Sequence, residues 1–144
     1  MSNLSDKDLI DQLKSEFGFW ESTAIAFIES QGLCVYCGED LYSSRIRYAS
    51  QNIEHLYPQS KFNDLKDKQC NLVLSCFKCN NMKRGRELYP ETSDPLKLLT
   101  NDKQYVIGYI RNKLKDEIDL EIEVCKKLNK ILPWVESNAT QLKR

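Results

Sequence analysis

The sequence predicts a mostly helical α+β fold: a small core of two strands and a short helix, stapled by cysteines, with helices on either side. Three observations carry this. Two CxxC pairs, Cys34/Cys37 and Cys76/Cys79, stand with 38 residues between them. Short runs rich in β-formers lie between the pairs, and a basic helical stretch begins at the second. Upstream and downstream, apolar residues recur at helical spacing.

At 144 residues the chain is expected to form a single domain over 1–144. N-terminal helices would occupy 1–32, the stapled core 33–88 and a helical extension 100–132. That length can bury a core without depending wholly on a metal. No apolar run approaches the roughly 20 residues of a membrane span. The acidic start MSNLSDKDLIDQLK lacks the basic-then-apolar build of a secretory signal, so a cytoplasmic protein without a membrane partner is expected.

In order along the chain, residues 5–17 form an amphipathic helix, with Ser5 as N-cap, Asp8 three residues on and Gly18 as the break. A second helix runs from about Trp20 to Gln31, closed by Gly32. In CVYCG, Gly38 permits the tight turn. Residues 45–53 (RIRYASQNI) read as a strand, 56–70 as a loop, and LVLSC at 72–76 as a second strand. A basic helix follows from Phe77 to about Leu88, then a connector with two prolines. A long helix is expected over Thr100–Leu132, with a break placed near Lys115–Asp119, and Pro133 as its stop. The polar end, ESNATQLKR, reads as a frayed tail or a truncated linker to a further domain.

Net charge is zero, but its distribution is uneven. Residues 1–42 hold two Lys and eight acids, whereas residues 43–90 hold nine Lys or Arg against four acids. Positive charge is concentrated around the motifs, as a polyanionic substrate requires.

In a reducing compartment, two CxxC pairs favour metal ligation over disulfides. Each pair places two thiolates on one turn, and two pairs close a tetrahedral Cys₄ site with no open position. One structural Zn²⁺ on Cys34, Cys37, Cys76 and Cys79 is the expectation, with Cys70 and Cys125 as ordinary thiols. A redox CxxC would come once, within a βαβ pattern that is missing here.

The only histidine, His55, follows Glu54 and precedes Asn71 and Asn80. Hydrolysis of a phosphodiester needs a base near neutral pH, which histidine provides. It also needs a cation to neutralise charge on the leaving oxygen. Glu54 and the amide oxygen of Asn80 are suitable ligands for a hard cation such as Mg²⁺ or Mn²⁺. A carbonyl of the 56–70 loop would orient the His55 ring, and Asn71 would brace that loop. Lys61, Lys78, Lys83, Arg84 and Arg86 are candidate phosphate contacts, with a solvated surface as the competing reading. Tyr36, Tyr57 and Phe62 would pack in the core or stack on bases.

The segments CVYCG, EHLYPQS and NLVLSCFKCNNMK follow the pattern CxxCG, (D/E)HxxPxS, NLVLxCxxCNxxK. Over residues 31–86 this resembles the HNH endonuclease family of His-Me finger (ββα-metal) type, with a treble-clef-like zinc-bound core. The resemblance implies that His55 activates water, that Glu54 and Asn80 hold the catalytic metal, and that Asn71 secures the loop behind His55. It singles out Lys83 as the family's lysine. It also implies cleavage of double-stranded DNA to 5′-phosphate and 3′-hydroxyl ends, in bacterial or phage restriction or anti-phage defence, as the effector of a larger system with a partner subunit or fused sensor. The departure is Glu54, where Asp or His is commoner. Two rival readings are a non-catalytic zinc module that binds nucleic acid or protein, and an RNase toxin.

Overall fold

The computed structural model describes residues 4–142, with side chains as far as residue 138. Residues 1–3 of the expected N-terminal segment and 143–144 of the polar end lie outside the described residues. The elements run α1 (Asp6–Phe17), α2 (Glu21–Glu29), α3 (Arg45–Ala49), β1 (Gln51–His55), β2 (Leu72–Cys76), α4 (Phe77–Lys83), α5 (Pro95–Ile131) and α6 (Val135–Leu142). The chain divides into two compact units, residues 1–114 and 115–144. Helices with one small sheet make the fold α+β and mostly helical.

In the first unit, α1 opens with the expected capping box. The Ser5 hydroxyl accepts from the Asp8 N–H, and the Asp8 carboxylate accepts from the Ser5 N–H. α2 buries Ala24 and Ala26. Gly32 has a φ of +75°, and a Cβ there would sit 2.6 Å from the Tyr42 ring, so only glycine fits.

β1 and β2 form a two-stranded antiparallel sheet that pairs Glu54 with Val73 and His55 with Leu72. All five β2 residues are buried. Leu56, Leu65, Leu99, Val106, Ile110 and Leu114 complete the core of this unit. The 56–70 stretch is a loop as expected, tightened by 3₁₀ turns at Asn63–Leu65 and Gln69–Asn71.

Four elements differ from the sequence reading. Residues 45–49, read as part of a strand, form α3, because the Ser44 hydroxyl accepts from the Arg47 N–H and starts a helix there. The strand begins only at Gln51. α4 stops at Lys83 rather than near Leu88, since Arg84 takes extended ψ (128°) and Gly85 turns at φ +74°. α5 begins at Pro95, with Asp94 accepting from the Lys97 N–H as a cap. It shows no break at 115–119. Its one non-helical residue is Asp102 (φ −151°, ψ 66°), whose carboxylate accepts from the Tyr105 N–H and restarts the helix. The polar end, read as a tail or linker, is helical over Val135–Leu142.

Candidate active site

The thiol sulfurs of Cys34, Cys37, Cys76 and Cys79 lie within 4.8 Å of one another. Cys34 and Cys37 sit on the tight turn closed by a Gly38 N–H to Cys34 carbonyl bond of 2.9 Å. Cys76 ends β2 and Cys79 sits in the first turn of α4. The Cys37 and Cys76 sulfurs are 3.8 Å apart. A tetrahedron with Zn–S bonds of about 2.3 Å has edges of about 3.8 Å, so the donors fit a closed zinc site. Hydrogen bonds from Cys37, Cys76 and Cys79 drive the Cys34 thiol far down, while donating to Cys34 drives Cys79 far up. Four thiols so close compete for protons that a dication would displace.

β1 ends at His55, beside a cleft of about 370 Å³ lined by Glu54, His55, Pro58, Gln59, Ser60, Asn80, Lys83 and Arg84, among others. His55 Nε2 lies 2.9 Å from the Lys66 carbonyl oxygen. A carbonyl only accepts, so Nε2 carries a proton, and in the neutral ring the lone pair sits on Nδ1. The carbonyl expected from the 56–70 loop is thus that of Lys66.

Asn71 is fully buried beneath the loop. Its Oδ1 accepts from the Tyr57 N–H (2.8 Å), and its Nδ2 donates to the carbonyls of Tyr57 (2.9 Å) and Leu65 (3.3 Å). One amide thereby ties Tyr57, at the start of the loop, to Leu65, the residue before Lys66. The Tyr57 ring packs edge-on against Phe62 and contacts Tyr89, and its hydroxyl donates to the Pro90 carbonyl. Tyr57 is therefore a core residue, and Phe62 packs against it.

Glu54 and Lys83 each have 6% exposure. The sequence reading puts Lys83 at a phosphate. Its ammonium instead reaches back from the last turn of α4 to the end of β1. There it donates to Glu54 Oε1, to the His55 carbonyl (2.7 Å) and to the Leu56 carbonyl (3.2 Å). Glu54 Oε2 accepts from the Tyr36 hydroxyl at 2.5 Å. Burial raises the Glu54 carboxyl above its ordinary 4.5, opposed by the attraction and hydrogen bond of Lys83 and by the Tyr36 bond. Burial, reinforced by Glu54, raises Tyr36 well above 10, so Tyr36 stays protonated and donates.

Strand, strand and helix thus carry histidine, asparagine and zinc-type cysteines in one compact frame. Residues 34–89 match the family model described as HNH endonuclease. The matched residues make up less than half of the chain. No curated protein and no solved structure matches it.

Within the matched segment, Glu54, His55 and Asn80 share the cleft, while Asn71 is buried against the 56–70 loop. Of the candidate phosphate contacts, Arg84 is exposed and lines the cleft. Lys61 is exposed and paired with Glu87. Lys78 and Arg86 are exposed but do not line the cleft, and Arg86 donates to the Met82 carbonyl. Sequence reasoning missed Tyr36 as the partner of Glu54, and Gln59 and Ser60 as cleft residues. The Ser60 signal was available in the EHLYPQS motif. For Tyr36 there was none, because an aromatic between two cysteines reads equally well as core. Among the described residues, no helix is long and apolar enough to cross a membrane.

Proposed function

We propose that this chain is a divalent-cation-dependent endonuclease that hydrolyses DNA phosphodiesters. The observation that carries the reading is the His55 ring: Nε2 is held by the Lys66 carbonyl, on a cleft shared with Glu54 and Asn80. With Nε2 protonated, Nδ1 takes the proton from a water, and the resulting hydroxide attacks phosphorus in line with the 3′-oxygen. Glu54 and Asn80 line one cleft and would be the ligands of a hard cation that keeps most of its waters, which would there compete with the Lys83 ammonium for Glu54 Oε1. Such a cation, Mg²⁺ or Mn²⁺, would supply neutralisation of charge on the phosphate and the departing oxygen. Lys83 offsets part of the Glu54 charge and holds the backbone at His55. Arg84, at the rim, contacts a neighbouring phosphate. The Cys₄ zinc is closed and takes no part in the chemistry.

The test is a digest of supercoiled plasmid and of transfer RNA, each with Mg²⁺ and with EDTA. Wild type is expected to cut the plasmid only with Mg²⁺. His55→Ala is expected to lose cleavage while keeping its zinc and its circular dichroism. Cleavage at the wild-type rate by His55→Ala sinks the assignment, and cleavage of transfer RNA alone replaces it with a ribonuclease. The wider role we propose is restriction or anti-phage defence, as the effector of a larger system. Loss of phage protection in His55→Ala cells is its check.

A further inference from the structure

Residues 115–131 form the part of α5 that lies in the second unit, and every side chain there except Ile118 is exposed. The exposed residues include a continuous apolar line. Leu120, Val124, Leu128 and Ile131 follow one another at spacings of four, four and three, which places them on one helix face. Leu120 is 68% exposed and Ile131 73%. Ile122 is also exposed but lies on the opposite side of the helix and is not part of this line. A soluble chain rarely leaves so long an apolar line to water without something to cover it.

Charge along this helix indicates what covers it. Residues 115–123 hold five acids and one Lys, whereas residues 124–131 hold three Lys and no acid. Val124 sits at the boundary, with Leu120 and Leu128 four residues to either side. Turning the helix end over end about Val124 lays Leu120 on Leu128, Val124 on itself, and the acidic half on the basic half. A parallel partner would set acid against acid. A membrane-surface helix carries mainly basic residues on its polar face, and a nucleic-acid contact would meet the acidic half. Self-complementarity of this kind is what a two-fold, isologous contact requires.

We propose that residues 115–131 pair antiparallel with the same helix of a second copy of this chain, centred on Val124. Two copies then bring two clefts into one particle. The pairing does not depend on the nuclease reading, and its test does not use activity.

The test is sedimentation equilibrium of the zinc-loaded full chain at tens of micromolar, in low and in high salt. Wild type is expected to be a dimer. The double variant Leu120→Glu/Val124→Glu is expected to be a monomer with unchanged zinc content and helicity. A second variant, Lys126→Glu/Lys127→Glu/Lys130→Glu, leaves the apolar line intact and makes both halves acidic. It is expected to shift toward monomer in low salt and to recover in high salt. A parallel pair would respond little, since like charges already face each other there. A monomeric wild type overturns the proposal, and so does a dimer indifferent to either variant.

Discussion

At Asn71 one side-chain amide satisfies three backbone groups inside the protein. Asn71→Ala strands all three. Each unpaired buried group costs roughly 1–3 kcal/mol, with partial relaxation. A loss of about 3 kcal/mol in urea unfolding is expected, together with loss of cleavage, because the loop presenting the Lys66 carbonyl is released. Lys83→Met leaves Glu54 buried without its counter-charge, at an expected cost of about 3–5 kcal/mol, and Glu54→Gln in the same chain restores part of it. A double-mutant cycle in urea measures that coupling. Glu54 also predicts a pH dependence. Its folded pKa is raised, so the folded state holds the proton more tightly than the unfolded chain does. Its contribution is therefore most favourable below about 4.5 and declines as pH rises through the folded pKa. The stability of wild type relative to Glu54→Gln is expected to fall with rising pH above that point, as followed by urea midpoints. His55 and Asn71 were legible in the sequence because motif spacing places them at strand ends. The inward turn of Glu54 was not, because it depends on Tyr36, 18 residues away, and on Lys83, 29 residues away.

Among the elements, the second CxxC pair works as a joint. Cys76 closes β2, Cys79 opens α4, and the Cys79 N–H donates to the Cys76 sulfur at 3.3 Å. A zinc ion bound at this joint would tie the 34–37 turn to β2, which begins directly after Asn71, and to α4, which carries Asn80. Structural zinc in small domains contributes roughly 10–16 kcal/mol, comparable to the whole stability of a domain. Chelation is expected to melt the core. In a thiol titration Cys70 and Cys125 should react first, and the four ligand thiols only after chelation. The helix–strand boundary at residues 45–51 was less legible. Ile46 and Tyr48 favour strands, but both are exposed and have no strand partner, so the Ser44 cap decides the local structure. The long helix was legible from its period, whereas the bend at Asp102 arises from a side-chain cap that periodicity does not report.

For the molecule as a whole, buried side chains of α5 stop at Leu114, where the first unit ends. Leu99, Val106, Ile107, Ile110 and Leu114 all belong to that unit. A chain ending after residue 114 is therefore expected to bind zinc and melt cooperatively by circular dichroism. Leu114→Ala within it is expected to cost about 2–5 kcal/mol. Sequence patterning located this core but not its edge, because the apolar period continues into residues that stay in water. The Lys66 carbonyl has a consequence for inheritance. The group that orients His55 belongs to the backbone, which every amino acid supplies alike. Replacing the Lys66 side chain cannot delete it. The loop surface can drift through substitution while the imidazole keeps its tautomer, and selection on that tautomer falls instead on Asn71, which holds the path of the chain.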